Sequence, residues 1–213
     1  DLQYTHHGPI YKTIDNWSYA ARTSADDITD LIGQLYQMNR ATELQTFRVA
    51  LARLEIPVFN VTYADVDGNS YYVFLSRTPI RAEKFDWLNP VPGWTKETDW
   101  GGILPFSQLP QVVNPESGFL HNCNTPPDAV SPSVLFKRSD FPGYLGWGQM
   151  NDRGRRALTW LSSHHVVSVD EALTLVRDEY LLSAEETKGF VLRAYNRNWQ
   201  ELYDPESQLA GAI

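Results

Sequence analysis

The segment His121-Asn122-Cys123-Asn124 brings together an imidazole, a thiol and two carboxamides, all of which could do chemistry. Residues 118–124 are predicted to form a short strand that ends at Pro126-Pro127, since proline cannot donate to a strand ladder. On a strand, His121 and Cys123 would share a face, which suggests a Cys–His nucleophile. Catalytic pairs of this kind are usually assembled from distant segments, so we interpret Cys123 as a buried structural thiol.

Asn122 and Asn124 would share the opposite face of the same strand. Asparagine is a poor strand former, so two of them in one short strand need a reason. One reason is a turn, in which the Asn124 side chain hydrogen-bonds the backbone ahead of Thr125 and Pro126. The other reason is that an amide NH₂ group is aimed at a ligand. The residues by themselves leave both interpretations open.

Two adjacent histidine pairs, His6-His7 and His164-His165, are possible metal ligands. Neighbouring side chains on a strand point to opposite faces, so an adjacent pair rarely holds a single ion. We therefore predict no metal site at either pair.

The segment Asp65-Val66-Asp67-Gly68-Asn69 carries the oxygen-bearing side chains of a calcium loop. Asp67-Gly68 is also a strong signal for a two-residue hairpin turn, and alternating apolar residues flank it on both sides. A hairpin between strands at 59–63 and 70–75 accounts for Asp67-Gly68-Asn69, and the later ligands of an EF-hand loop are missing from the sequence. We therefore predict no calcium ion here.

Strands and helices are predicted in separate groups along the chain. Residues 4–13 predict one strand with an irregularity at Gly8, followed by a loop that carries Trp17 and Tyr19. Helices are predicted where Ser or Thr precedes an acidic or amide residue by three positions and apolar residues follow at helical period. These capping signals are Ser24 with Asp27, Thr42 with Gln45, Ser168 with Glu171, and Ser183 with Glu186, and residues 152–161 form a further helical stretch.

The Pro-, Gly- and Trp-rich stretch 79–115 is predicted to be a long ordered loop held by aromatic packing. Residues 1–130 then contain strands, two helices and this loop, whereas residues 131–213 are mainly helical. Because strands and helices do not alternate strictly, we predict the α+β class rather than a doubly wound parallel sheet. Trp87, Trp94 and Trp100 could form an aromatic platform for a sugar or acyl ligand, so a non-catalytic binding module is an alternative function.

The composition limits the class of partner. The 213 residues carry a formal charge of -8, which argues against nucleic acid or an anionic membrane. No apolar run is long enough to span a membrane. Cys123 is the only cysteine, so no internal disulfide can form. The chain begins at Asp1 in the middle of an apolar/polar pattern, and we expect it to be a piece of a longer protein.

Seven short motifs follow one another over residues 5–124. They are THHGP at 5–9, YADVDGN at 63–69, PVPGW at 90–94, DWGG at 99–102, LPF at 104–106, NPESGF at 114–119 and HNCN at 121–124. In their order and spacing they resemble the penicillin acylase family of N-terminal-nucleophile amidohydrolases, which includes the acyl-homoserine-lactone acylases. Beyond residue 130 the resemblance continues more loosely, through Asp152-Arg153 and the helices that follow.

The resemblance implies an internal segment of the large chain of an amide hydrolase whose core is a four-layer α/β/β/α sandwich. In this family the nucleophile is the first residue of the large chain, usually Ser, and its own α-amino group is the base. That residue would lie upstream of His7-Gly8 and outside this chain, so the segment alone is expected to be inactive.

Two catalytic residues are implied by the resemblance. Asn124 matches the family's oxyanion-hole Asn, and Arg153 matches an Arg that braces it. No cofactor is implied, and a structural calcium is not carried over because the position of one carbonyl ligand is altered around Trp87. The implied partners are the remainder of the acylase and a small N-acyl substrate, with no nucleic acid and no membrane. The implied location is the periplasm or the outside of the cell.

Overall fold

This computed structural model describes residues 2–202, which contain two small antiparallel sheets and five α-helices. The chain divides into two compact units, Asp1–Met150 and Asn151–Ile213. All six described strands belong to the first unit. Grouped helices and antiparallel strands confirm the predicted mixture of the two kinds of element.

The first sheet is a meander of three short strands near the start of the chain. These strands are β1 (Tyr4–Thr5), β2 (Gly8–Ile14) and β3 (Trp17–Ala20), in the order β1-β2-β3. The prediction of one continuous strand followed by a loop is wrong, because the chain reverses at His6-His7. Gly8 has a φ of 110°, which glycine adopts easily, and Thr5 Oγ1 accepts the His7 N–H at 3.1 Å.

The second sheet contains the predicted hairpin. Its strands are β4 (Val58–Ala64), β5 (Ser70–Ser76) and β6 (Gln111–Val113), in the order β4-β5-β6. In the turn, Asp65 Oδ1 accepts the N–H groups of Asp67 at 3.1 Å and Asn69 at 2.9 Å. The Asn69 side-chain amide also donates to Asp65, and this bond is the main cause that lowers the pKa of Asp65. Ala64 pairs with Ser70, so residues 65–69 form a longer connection than the predicted two-residue turn, and the Asp65 carboxylate holds it.

Both helices predicted before the hairpin are present, but each begins later than its predicted cap. They are α1 (Leu31–Arg40) and α2 (Leu44–Leu51). Asp30 caps α1 and Glu43 caps α2, in place of the predicted Ser24 and Thr42. Ser24 and Asp27 do not cap α1, because both are hydrogen-bonded to an arginine that lies far away in the chain. Arg77 donates to the Ser24 carbonyl at 2.8 Å and to Asp27 at 2.5 Å.

Strand β5 is buried on both of its faces. On one face Tyr71, Val73 and Leu75 pack with Leu51 of α2 in the larger apolar core. On the other face Tyr72 packs in a second, smaller core. The predicted loop 79–115 contributes two buried leucines, Leu104 and Leu109, to the larger core. It then ends in β6, which the sequence did not predict.

The second unit contains three helices. They are α3 (Asp152–Ser162), α4 (Val169–Val176) and α5 (Leu182–Leu202). The capping box of α4 is confirmed, since Ser168 Oγ accepts the Glu171 N–H at 3.2 Å and the Glu171 carboxylate accepts the Ser168 N–H at 2.8 Å. The prediction of a capping box at Ser183 and Glu186 is wrong, because Ser183 lies inside α5. Its side-chain hydrogen bond to Asp152 is the main cause that lowers the pKa of that carboxyl group. Within residues 2–202, no helix is both long and apolar enough to cross a membrane.

Candidate active site

The segment that carries Asn124 starts at the end of β6, where Asn114 fastens it to the hairpin. Asn114 has a φ of 44°, which ends the strand. Its N–H donates to the Ser70 carbonyl at 2.8 Å, and its Oδ1 accepts the Ser70 N–H at 2.7 Å. The start of the segment is therefore held by the same sheet that forms the core.

Residues 118–124 do not form the predicted strand. Gly118 has a φ of 75°, and its N–H closes a turn on the Pro115 carbonyl at 2.9 Å. The chain then runs beside residues 129–133, to which it is tied by single hydrogen bonds and not by a ladder. The His121 N–H donates to the Val130 carbonyl at 2.9 Å, and Ser117 Oγ lies 2.5 Å from Ser131 Oγ. The argument from alternating strand faces therefore fails for His121 with Cys123 and for the two asparagines.

Asn122 and Asn124 are partners in one turn. The Asn124 N–H donates to Asn122 Oδ1 at 2.9 Å, and Asn124 has a φ of 59°. Asn is one of the few residues that accept this left-handed conformation readily. The turn is therefore made by the Asn122 side chain, while the Asn124 residue is exposed. Thr125 and Pro127, which follow, are buried and anchor the exit of the turn.

Three buried side-chain atoms next to Asn124 have no hydrogen-bond partner within the described part of the chain. They are His121 Nδ1, Asn122 Nδ2 and Thr125 Oγ1. An unsatisfied buried polar group costs about 1–3 kcal/mol, so native proteins rarely keep three within five residues. Such a concentration is typical of a functional site or of a surface that another part of the protein completes.

His121 is not arranged as a base for Cys123. Its Nε2 lies 2.8 Å from the Ala129 carbonyl, which places the ring proton on that nitrogen. Among residues 2–202, Nδ1 has no hydrogen-bond partner, so it does not hydrogen-bond the half-buried Cys123 thiol. Burial lowers the pKa of His121, which keeps the ring neutral. The interpretation of Cys123 as a structural thiol stays a prediction.

Arg153, the second predicted catalytic residue, lies in the first turn of α3 and is exposed. The helix start is fixed by Asn151, whose side chain accepts the Gly154 N–H at 2.9 Å. Arg155 on the next turn of the helix surface is paired with Glu186 and Asp152. Asn124 belongs to the first unit and Arg153 to the second. That Arg153 braces Asn124 stays a prediction.

The three tryptophans of the alternative function do come together. Trp87, Trp94 and Trp100 line one cavity of about 880 Å³. Trp17 also lines it, with its ring centroid 5.2 Å from that of Trp94. The guanidinium group of Arg81 lies over two of the rings, 5.0 Å from the centroid of Trp87 and 5.2 Å from that of Trp100. Sequence reasoning missed Trp17 because it lies far from Trp87, Trp94 and Trp100 in the chain. It missed Arg81, which is close to Trp87, because no local pattern shows which rings an arginine covers. Binding of a sugar or acyl ligand in this cavity stays a prediction.

The first histidine pair is not on a strand, so the argument that its side chains diverge is wrong. His6 and His7 occupy the turn between β1 and β2, with ring centroids 3.7 Å apart. Asp99 reaches the same place, with its Oδ1 3.8 Å from His6 Nε2. In the second pair, His164 stacks on Trp160 with centroids 3.9 Å apart and is held by its carbonyl.

Comparison with known proteins identifies relatives over most of the chain. The family model described as Penicillin amidase matches residues 1–211. Penicillin G acylase from Escherichia coli is 33% identical over 177 residues, which are 81% of this chain and 20% of that protein. Penicillin acylase 2 proenzyme from Pseudomonas sp. (strain SE83) is 28% identical over 127 residues, which are 58% of this chain and 16% of that protein. The chain therefore spans about a fifth or less of the length of these two curated relatives.

A solved structure has the same fold. Thermostable Penicillin G acylase from Alcaligenes faecalis superposes with a TM-score of 0.66 at 23% sequence identity. The superposition covers 82% of this chain and 30% of that chain.

Proposed function

This chain belongs to the penicillin amidase family, and we propose that it is a segment of an N-acyl amide hydrolase to which it contributes the oxyanion-hole residue Asn124. The observation that carries the proposal is the position of Asn124. It is an exposed residue on a turn that is anchored on both sides. Beside it lies an uncommon concentration of buried polar atoms without partners in the described chain.

The reaction that this proposal implies is an acyl transfer in two stages. An N-terminal Ser, Thr or Cys outside this segment attacks the amide carbon. Its own α-amine, with a pKa of about 7.7–8.0, takes the nucleophile's proton. The carbonyl oxygen gains negative charge, the amine leaves with a proton, and water then releases the acid from the acyl-enzyme.

Asn124 would act at the step where charge develops on the carbonyl oxygen. Its Nδ2–H group would donate to the oxyanion, a bond that is stronger in the transition state than in the bound amide. Such a donor is effective only when it is positioned before the reaction starts. The Asn122–Asn124 hydrogen bond and the buried residues that follow supply that rigidity.

The rest of the proposal concerns the protein around this segment. The β4–β5–β6 sheet would belong to an inner layer of a four-layer α/β/β/α sandwich, since β5 is already covered on both faces. Arg153 would brace the oxyanion site. The remainder of the acylase would supply the nucleophile and the acyl pocket, and the substrate would be a small N-acyl compound. The periplasm or the outside of the cell is the location that fits such an enzyme.

The test separates the backbone role of Asn124 from its side-chain role in the intact enzyme. Asn124→Ala removes the donor and also strains a φ of 59°, whereas Asn124→Gly removes the donor and relaxes the backbone. Both variants should lower kcat by roughly 10²–10³, or about 2.7–4 kcal/mol, with little change in KM. Only Asn124→Ala should also lower the melting temperature. Steady-state kinetics and thermal denaturation on the same preparations measure both effects.

The control is Asn39→Ala, which removes an exposed carboxamide from α1 and should leave kcat unchanged. Asn124→Asp should be at least as inactive as Asn124→Ala, because a carboxylate would face the oxyanion. The proposal is wrong if Asn124→Gly retains kcat within a few-fold of the unmodified enzyme.

A further inference from the structure

We propose that His6, His7 and Asp99 form a binding site for a divalent transition-metal ion of the Zn²⁺ type. One ring nitrogen of each histidine and one carboxylate oxygen lie within 4.8 Å of one another. Two donors bound to Zn²⁺ at about 2.0–2.2 Å lie up to about 4 Å apart, so small side-chain rotations would close this site.

The backbone presents the three side chains from two fixed segments. The turn that carries both histidines is held by Thr5, whose Oγ1 accepts the His7 N–H at 3.1 Å. Asp99 follows the 3-10 helix Lys96–Thr98, and its N–H donates to the Lys96 carbonyl at 3.2 Å. Thr98 within that helix is buried and donates to the Pro92 carbonyl at 2.7 Å. The ligands are therefore preorganised although they are far apart in the chain.

The donor set selects the class of ion. Two imidazoles and one carboxylate suit Zn²⁺ and related transition metals, whereas Ca²⁺ and Mg²⁺ prefer oxygen ligands throughout. His7 Nε2 lies 2.9 Å from the Gly93 carbonyl, and a neutral ring that donates from Nε2 keeps a lone pair on Nδ1. Metal-ligating histidines commonly make such a bond to a carbonyl with their second nitrogen.

The surroundings suggest what the ion would do. His6 and His7 line the tryptophan cavity, and Gly93 and Trp94 belong to the same wall. An ion held by His6, His7 and Asp99 would join the β1–β2 turn to the Trp-rich loop. The side chains of His6 and Asp99 are 67% and 45% exposed, so the ion could enter without unfolding. Three protein ligands would leave at least one coordination position open to a small molecule.

The experiment uses the intact protein that contains this chain, prepared without a histidine tag and stripped with a chelator that is then removed. Titration with Zn²⁺ in a calorimeter should show binding to the unmodified protein. His6→Ala and Asp99→Asn should each lower the zinc affinity at least about 10-fold, because losing a metal ligand costs no less than losing a residue that hydrogen-bonds to one. Titration with Co²⁺ should produce visible absorption bands in the unmodified protein that His6→Ala lacks. His165→Ala, which alters an exposed histidine of the second pair, should bind as the unmodified protein does.

Melting temperatures in the presence of chelator show whether each variant folds normally. If either variant melts early, the other still tests the site, because the two substitutions lie in different segments. Equal zinc affinity in the unmodified protein, His6→Ala and Asp99→Asn would overturn the proposal and leave the His6–Asp99 contact as a plain ion pair. Weakening by His165→Ala alone would overturn it as well.

Discussion

At the scale of single residues, the two asparagines of the Asn122-Cys123-Asn124 turn have different roles. The Asn122 carboxamide accepts the backbone N–H of Asn124, so it acts on the main chain. Asn124 is an exposed residue, and its carboxamide is the oxyanion donor in the proposed mechanism. The side-chain bond to the backbone that the sequence suggested for Asn124 is therefore made by Asn122, and the ligand-binding role of Asn124 stays a prediction.

The prediction at the residue scale concerns Asn122 as a positioning residue. Asn122→Ala removes the acceptor that holds Asn124 and should lower kcat several-fold while KM stays nearly constant. The hydrogen bond is worth about 0.5–1.5 kcal/mol, which bounds the effect to roughly ten-fold. The serine of Asn122→Ser can still accept the N–H, although more weakly. The kcat of this variant should therefore lie between those of the unmodified enzyme and Asn122→Ala. Steady-state kinetics of the three proteins measure this order, and equal loss in both variants would contradict a positioning role.

At the scale of elements, the β1–β2 turn depends on one glycine. A Cβ atom at Gly8 would lie 2.1 Å from the Ala21 carbonyl oxygen, and Gly8 has a φ of 110°. The strands can pair closely at this point only because no side chain is present. The same turn aligns His6 and His7, so the geometry of that cluster depends on Gly8.

The prediction at this scale compares two glycines with nearly equal φ. Gly102 has a φ of 108°, but a Cβ atom there would meet no atom of the described residues within 4 Å. Gly102→Ala should therefore cost only the conformational strain, about 1–3 kcal/mol, whereas Gly8→Ala should cost more because it adds a steric clash. Thermal or urea denaturation of the intact enzyme measures both. Equal destabilisation would show that the Ala21 contact is easily relieved.

Two predicted capping pairs with the same spacing have different outcomes in the structure. The Ser168–Glu171 box is satisfied between residues three positions apart, and the helix begins where the pattern predicts. The Ser24–Asp27 pair has the same spacing and does not cap a helix. The Asp27 carboxylate is instead paired with Arg77, 50 positions away along the chain. A charged partner brought by the fold outweighs a local cap that is worth about 1 kcal/mol.

At the scale of the whole molecule, this chain covers 20% of Penicillin G acylase from Escherichia coli and 30% of the solved Alcaligenes faecalis chain. The proposed mechanism divides the active site accordingly. In that proposal the oxyanion donor would lie in this segment, whereas the nucleophile and base would lie in another. The buried polar atoms around Asn124 mark a surface where such a division is expected.

The prediction for the whole molecule concerns the identity of the nucleophile. Within the intact enzyme, replacing the N-terminal Ser, Thr or Cys outside this segment by Ala should abolish amide hydrolysis. Cys123→Ala should leave turnover near normal and cost about 1 kcal/mol of stability, as small truncations do. The chain 1–213 by itself should hydrolyse no N-acyl substrate. Loss of turnover in folded Cys123→Ala, or activity of the isolated chain, would return Cys123 to consideration as the nucleophile.

The sequence by itself determined the features that depend on neighbours in the chain. The Asp67-Gly68 hairpin, the cap of α4 and the presence of α1, α2 and α3 follow from contacts within a few residues, which patterns record directly. The family resemblance was also readable, because its motifs are short and ordered along residues 5–124.

Only the tertiary structure decided which distant groups meet. Residues 118–124 do not form the predicted strand, because their neighbour is the segment 129–133, which bonds them too sparsely for a ladder. The rings of His6 and His7 come close because these residues form a turn and not a strand, and Asp99 joins them from a loop more than 90 residues on, with a contact of 3.8 Å to His6. Long-range pairings of this kind depend on the packing of the core, and no local pattern encodes them.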